Sequence, residues 1–348
     1  MSKVLVRATT WLGDAVMSLP AIRAIRQVFP HAHLAVLARP SVAGLYAREK
    51  AIDRVIPYPA AKGLRARRQF AATLRAERFD GAILLPNSFD AALTVWLAGI
   101  PERIGYRRDG RGMLLTRAID VPQPGDIPRH ERFYYLELLR RAGLIEHFPE
   151  CGAIALDGIA DARQAGAAHL DALGVAGPVI GISPGAAYGD AKRWLPERFA
   201  ASGQQMAGML GASVLVFGAT AERPLCEAVA ELLRRAGVEA HNLAGETSLP
   251  QFIDLAAACR LFLTNDSGAM HVASALGVPT VAIFGATDDS TTGPTGHLAR
   301  VVRRHAECSP CLLRQCPIDH RCMTRVTAAD VTAAASLLLG RTENYPEN

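Results

Sequence analysis

The chain has 348 residues, half of them apolar and a fifth charged, a net charge of +5 and seven cysteines. This balance fits two globular domains of ordinary size, and its longest apolar stretch, Ala91 to Ile100, is too short for the roughly 20 residues that cross a bilayer as a helix. Met1 to Ala8 run straight into an apolar strand without a secretory leader, so the expected location is the cytoplasm, where an odd number of cysteines reads as reduced thiols and not as a disulfide framework.

From the N-terminus, apolar or β-branched runs alternate with helical stretches: Lys3–Arg7 then Ser18–Val28, His33–Leu37 then Ser41–Ala47, Gly81–Leu85 then Ala91–Ala98. This βαβ rhythm predicts a parallel sheet covered by helices. An Ala- and Gly-rich segment, Cys151 to Ala176, is expected to hold a strand and a helix. A second series follows, with strands at Val179–Ile182, Ser213–Phe217, Leu261–Thr264 and Thr280–Phe284, and helices at Glu197–Met209, Glu222–Arg235, Leu249–Ala258 and Ala269–Leu276. The expected fold is therefore α/β, with two Rossmann-like parallel-sheet domains facing a cleft. Residues 1–170 form one domain and 171–348 the other, with the last helix able to pack back on the first.

Charge divides unevenly: residues 1–170 hold 24 Lys and Arg against 16 Asp and Glu, and residues 171–348 hold 14 against 17, giving +8 and −3. A basic half suits an anionic partner, whether nucleic acid, membrane surface or phosphorylated substrate, or it is solvated surface.

In doubly wound sheets, ligands sit beyond the carboxyl ends of the strands, which directs attention to the loops. After the first strand, Thr9-Thr10-Trp11-Leu12-Gly13-Asp14 sets a carboxylate beside a glycine; Asp14 can serve as a general base toward a hydroxyl or cap the next helix. Ser183-Pro184-Gly185-Ala186-Ala187-Tyr188-Gly189-Asp190-Ala191-Lys192-Arg193-Trp194 is a small-residue loop ending in paired cations. It suits a phosphate, with Lys192 as a compact charge, although the same residues make a turn with solvated cations. It lacks the spacing of a P-loop.

Thr264-Asn265-Asp266-Ser267-Gly268-Ala269-Met270-His271 leaves a strand and opens a helix, whose free N–H groups and dipole favour phosphate. Ser267 and Gly268 are the expected donors and Asp266 a sugar or loop-positioning group. His271 stands near the diphosphate or is a core histidine.

Cys308-x2-Cys311-x4-Cys316-x5-Cys322, with His305 and His320 nearby, reads either as zinc ligands or as a compact loop of reduced thiols; a second CxxC pair is missing. The runs Arg65–Arg68 and Arg103–Arg111 can meet acceptor anions or water. A Gly-x-Gly-x-x-Gly turn does not follow the first strand, which speaks against a pyridine-nucleotide dehydrogenase. Exported solute-binding proteins carry a leader, which is not expected here. Aromatics at 6% and not interleaved with cations speak against a nucleic-acid binder.

Taken together, the Thr-Trp-Leu-Gly-Asp turn, the Ser-Pro-Gly-Ala-x-Tyr-Gly-x-Ala-Lys-Arg-Trp loop, Thr-Asn-Asp-Ser-Gly-x-Met-His and the cysteine loop resemble glycosyltransferase family 9, the ADP-heptose:lipopolysaccharide heptosyltransferases. The resemblance runs from Lys3 to about Met323. The second motif and the cysteine loop point to its heptosyltransferase II branch over heptosyltransferase I.

The resemblance implies a GT-B fold, with the acceptor on the N-terminal domain and ADP-L-glycero-D-manno-heptose on the C-terminal one, and inversion at the anomeric carbon. It implies Asp14 as general base and Lys192 as diphosphate partner. Asp266, Ser267, Gly268 and His271 form the sugar and phosphate loop, and Ser183, Gly185 and Glu222 complete the donor pocket. Thr10, Gly13, Arg65 and Arg107 are assigned to the acceptor, heptosyl-Kdo-lipid A, an acidic glycolipid that suits the +8 half and brings the protein into peripheral contact with the inner membrane. No nucleic acid, cofactor or metal is expected: an Asp-x-Asp triplet is absent from the sequence, and a lysine with a helix N-terminus can supply the charge stabilisation. The alternatives are a transferase of the heptosyltransferase I type and an epimerase of another nucleotide sugar.

Overall fold

The computed structural model describes residues 1–59 and 63–344, in two compact units: Met1–Gly152, and a second that begins at Ala153. In the first, β1 (Lys3–Arg7) is followed by helices α1 (Leu12–Met17) and α2 (Leu19–Val28), then β2 (His33–Ala38), α3 (Pro40–Tyr46), β3 (Arg54–Pro57) and α4 (Leu64–Ala76). β4 (Gly81–Leu84), α5 (Phe89–Leu97), β5 (Glu102–Tyr106), β6 (Arg117–Ile119) and α6 (Arg132–Arg141) complete it. The strands lie in the order β3-β2-β1-β4-β5-β6, all parallel. Helices cover the sheet, so its central strands are buried along their length and read as near-continuous apolar runs. Leu5, Leu37 and Leu84 meet Leu74 and Val95 in one core.

The second unit begins with α7 (Ile159–Ala172) and continues through β7 (Val179–Ser183), α8 (Pro196–Leu210), β8 (Ser213–Val216), α9 (Arg223–Arg235), β9 (Ala240–Asn242) and α10 (Leu249–Ala257). It closes with β10 (Leu261–Asn265), α11 (Gly268–Ala275), β11 (Thr280–Ile283), α12 (Asp289–Thr292), β12 (Ala299–Val302), α13 (Arg321–Thr324) and α14 (Ala328–Asn344). Its parallel order, β12-β11-β10-β7-β8-β9, repeats that of the first unit. Both units are thus Rossmann-like, the α/β GT-B-like class expected from the sequence. Each reverses strand order at one place, between β1 and β4 and between β7 and β10, and such a reversal opens a crevice at the strand ends.

Two expectations are corrected. The division falls at 152–153, not near 170, because α7 packs along α10, so closely that a Cβ at Gly166 would overlap the Asp254 carbonyl. The stretch before α7 forms no strand; it is pinned instead by the Leu156 N–H to the Ala275 carbonyl at 2.9 Å and the Ile154 N–H to Thr295 Oγ1 at 3.0 Å. The apolar face of α14, with Val331, Ala335 and Leu338, is taken up by α8, β11 and β12 of the second unit. No helix among the described residues is long and apolar enough to cross a membrane.

Candidate functional site

The reversal between β7 and β10 brings together two loops far apart in sequence. Lys192, from the loop after β7, pairs with Asp266, just past β10, at 2.5 Å, and their side chains are 13% and 6% exposed. Thr287, from the loop after β11, also donates to Asp266 Oδ2, at 2.5 Å. Asn265, fully buried, holds the two loops in register: its Oδ1 accepts from the Trp194 N–H at 2.9 Å and its Nδ2 donates to the Pro184 carbonyl at 2.7 Å.

Ser267 is the N-cap of α11, yet its side chain makes no cap hydrogen bond and turns to Thr264 Oγ1 at 3.2 Å. The first N–H groups of α11 are therefore without a side-chain cap, directly beside Lys192's partner Asp266. The arrangement suits an anionic ligand: a cation and a helix N-terminus, with a carboxylate occupying the cation until a phosphate replaces it. His271 is buried one turn into α11.

Ser183 ends β7, and the Glu222 carboxylate lies against Gly185, where a Cβ would overlap it. Glu222 also accepts from the Ala219 N–H at 2.9 Å. Ser183 at the end of β7, Gly185, Lys192, Asp266 and Ser267 in the loops, and Gly268 at the start of α11, the positions expected for the donor, thus gather at the reversal, with Glu222 joining them from the segment after β8.

Between Lys192 and the cysteine loop stands Tyr188, with the Lys192 ammonium 4.9 Å and the Arg314 guanidinium 5.3 Å from its ring centroid. The cysteine loop is itself fastened to both neighbouring loops. The Tyr188 hydroxyl donates to the Leu312 carbonyl at 2.8 Å and the Ala191 N–H to the Arg314 carbonyl at 3.1 Å. On the other side, Ser309 Oγ donates to the Gly285 carbonyl at 2.6 Å and the Leu312 N–H to the Ala286 carbonyl at 2.8 Å. All four of its cysteines are free thiols. Burial, with the neighbouring Cys308, Cys311 and Cys316, pushes the Cys322 thiol up. Among the described residues, no group of three or more His, Cys, Asp or Glu is placed to hold a metal ion.

In the first unit, the turn after β1 is built on buried hydroxyls. Tyr46 Oη lies 3.2 Å from both Thr9 Oγ1 and Ser18 Oγ, and Ser18 Oγ donates to the Ala15 carbonyl at 2.8 Å. Burial pushes the Tyr46 hydroxyl up to about 12. The helix that follows takes Trp11 as its N-cap, so Asp14 is not the cap; it lies in the first turn of α1, as does Gly13, with Thr10 in the approach to it. Burial first, then the charge of Asp14, pushes the hydroxyl of Tyr135 on α6 well above its usual range. Burial first, then the charge of Asp14, pushes the Glu131 carboxyl up to about 7, against the opposing pull of Arg108.

The arginine runs divide. Arg111 is fully buried and spends its guanidinium on the Tyr106 and Pro86 carbonyls, and Arg103 binds the Leu114 and Ile100 carbonyls at 2.7 and 2.5 Å. Both serve the fold. Arg107 stays exposed, in a loose 3.7 Å pair with Asp120, and Arg65 is exposed in the first turn of α4, whereas Arg67 pairs with Asp90 at 3.0 Å. Sequence reading did not single out Asn265, Thr287, Tyr188, Tyr135 or Glu131 as site residues. Only Asn265 and Tyr188 stood inside a motif that called attention to them.

Comparison with known proteins gives the following. The family profile of glycosyltransferase family 9 (heptosyltransferase) matches residues 67–321. Lipopolysaccharide heptosyltransferase 2 of Escherichia coli K12 is 34% identical over 311 residues, covering 86% of this chain and 88% of that protein. Lipopolysaccharide heptosyltransferase 1 of Pseudomonas aeruginosa is 27% identical over 327 residues, with 90% and 87% covered. Among solved structures, the E. coli ADP-heptose LPS heptosyltransferase II superposes with a TM-score of 0.83 at 30% identity, over 98% of this chain and 99% of that one.

Proposed function

Because the chain belongs to glycosyltransferase family 9, we propose a mechanism for it as the heptosyltransferase that places the second heptose of the lipopolysaccharide inner core. It is a glycosyltransferase of lipopolysaccharide synthesis that moves a heptose from a nucleotide-linked donor. The finer reading is transfer from ADP-L-glycero-D-manno-heptose to heptosyl-Kdo-lipid A with inversion. The greater likeness to heptosyltransferase 2 than to heptosyltransferase 1 supports it, since the type I enzyme would act one sugar earlier.

The observation that carries the donor assignment is the Lys192–Asp266–Thr287 cluster beside the uncapped start of α11. In this reading the diphosphate takes the Lys192 ammonium and the α11 N–H groups, and Asp266, released from Lys192, hydrogen-bonds the sugar. As the bond from the anomeric carbon to the diphosphate breaks, its electron pair stays on ADP, where the lysine and the helix dipole stabilise it. No divalent ion is required for that stabilisation, so turnover in EDTA equal to turnover without it is expected, and loss of activity restored by magnesium would refute this part.

On the acceptor side, Asp14 takes the hydroxyl proton as the oxygen attacks. Arg65 and Arg107, both exposed, meet anionic groups of the acceptor. The glycolipid acceptor brings the enzyme to the cytoplasmic face of the inner membrane through peripheral, salt-sensitive contact.

The test is ADP release from ADP-heptose by wild type and Asp14→Ala, with heptosyl-Kdo-lipid A as acceptor and Kdo-lipid A as control. Turnover of the heptosylated acceptor alone, lost in the variant while donor binding persists, supports substrate and base together. Turnover of Kdo-lipid A instead makes the enzyme type I; full rate in the variant removes Asp14 from the chemistry.

A further inference from the structure

Two donors converge on one oxygen of a buried carboxylate, and they differ in kind. Asp266 Oδ2 accepts from the Lys192 ammonium at 2.5 Å and from Thr287 Oγ1 at 2.5 Å. Lys192 reaches it on a long flexible stem, and its ammonium also lies 4.9 Å from the Tyr188 ring centroid. Thr287, buried, reaches it on a single rotatable side-chain bond from a backbone pinned on both sides. Before it, the Ala286 carbonyl accepts from the Leu312 N–H at 2.8 Å and the Gly285 carbonyl from Ser309 Oγ at 2.6 Å. After it, Asp288 caps α12 by accepting from the Ser290 N–H at 2.9 Å.

A carboxylate as enclosed as Asp266 loses its cation only at a cost, because little water is there to take the cation's place. When a donor diphosphate draws the Lys192 ammonium away, the Thr287 hydroxyl stays, since its place is set by the backbone and not by a long side chain. Among the described residues, both donors to this carboxylate fall on Oδ2, which leaves Oδ1 to accept from a ligand.

We propose that Thr287 is the positioning residue for Asp266: it keeps hold of Oδ2 while Lys192 moves to the diphosphate, and so presents Oδ1 to a hydroxyl of the donor sugar. This rests on the reading of Lys192 as the diphosphate partner. Without the threonine, Asp266 has only Lys192 to pair with and competes with the diphosphate for it. The ammonium is then divided between its resting ion pair and the leaving group whose charge it stabilises.

The experiment measures kcat and the KM for ADP-heptose and for heptosyl-Kdo-lipid A in wild type, Thr287→Val, Thr287→Ser and Lys192→Met. Tm is recorded for each and for the Lys192→Met/Thr287→Val double variant. Thr287→Val keeps the shape of the side chain and removes the donor. Its kcat/KM for ADP-heptose is expected to fall about tenfold to a hundredfold, the worth of a hydrogen bond to a charged group, with the KM for the acceptor unchanged. Thr287→Ser, which keeps the hydroxyl, should recover most of that loss.

The readout independent of activity is the dependence of the Tm loss on background. While Lys192 still holds Asp266, Thr287→Val should lower Tm less than it does in Lys192→Met, where the hydroxyl is the remaining donor; a threonine that merely fills its place gives losses that add. Additive losses, a Thr287→Val enzyme with wild-type kcat/KM, or a Thr287→Ser enzyme no better than Thr287→Val overturns the inference. If Lys192→Met keeps the wild-type rate, the diphosphate reading fails and this inference with it. If Lys192→Met is impaired and Thr287→Val is normal, only this inference falls.

Discussion

Replacing Lys192 with Met keeps most of the aliphatic stem and deletes the charge, which separates what the lysine does for the fold from what it does for the reaction. The pair is close, 2.5 Å, and both side chains are nearly buried, 13% and 6% exposed, so Asp266 would be left as a carboxylate with little water. Removing one partner of a buried pair costs about 3–5 kcal/mol, and the lower end applies because Thr287 Oγ1 still donates to the same oxygen. For a unit of this size about 3 kcal/mol corresponds to a Tm lower by about 6–12 °C. Loss of one preorganised charge at the departing diphosphate should lower kcat by about 10²–10³.

Adding Asp266→Asn removes the stranded charge. The double variant should regain most of the lost Tm in differential scanning calorimetry while ADP release stays low. A single variant with unchanged Tm and rate, or a double variant that regains its rate, would refute the argument.

Gly166→Ala forces a methyl group into the Asp254 carbonyl across the α7–α10 contact. Overpacking of this kind costs about 1–3 kcal/mol, and chemical denaturation should show the loss in the second unit, although residue 166 lies on the near side of the boundary expected from sequence. Gly185→Ala would displace the Glu222 carboxylate, which sits at the end of a flexible side chain. Titration with ADP should therefore show weakened donor binding with little change in Tm, matching Glu222→Gln. Asp330 closes the start of α14 by accepting from the Thr327 N–H at 2.8 Å and pairing with Arg304, which holds its carboxyl down at about 2. A depressed folded pKa stabilises the native state above the unfolded value, near 3.8, and that gain disappears as pH falls toward 2. Asp330→Ala should thus lower Tm by thermal melting at pH 7 and make little difference at pH 2.

The central strands were legible because parallel strands buried on both faces leave an uninterrupted apolar run between turn residues: β1 matches its expected span, and β2, β4, β7, β8, β10 and β11 differ only at their ends. The edges were not. Arg54-Val55-Ile56-Pro57 and Ala240-His241-Asn242 pair on one side only and carry polar or half-exposed residues, so no such run marks them. The loop after β10 announced itself by composition, yet its pairing with Lys192, 74 residues away, depends on β7 lying next to β10, which strand order alone decides.

Within Arg103–Arg111, composition could not tell Arg111, turned inward onto backbone carbonyls, from the exposed Arg107. Glu131 and Tyr135 were out of reach because α6 was not foreseen. Its sequence, Arg-Phe-Tyr-Tyr-Leu-Glu-Leu-Leu-Arg-Arg, buries Glu137 under Arg140 and Arg141 as well as its leucines, which blurs the helical period.

The fastening of the Lys192 loop bears on how the protein is made. Tyr188 is anchored to a carbonyl 124 residues downstream, and the Trp194 indole to that of Val326, 132 residues downstream. On a ribosome that delivers the chain N-terminus first, β7 and its loop emerge long before either anchor. A nascent chain halted short of Leu312 could complete its central strands while the lysine loop still lacked its support. The Lys192 loop is therefore among the last parts of the second unit to gain its full support during synthesis.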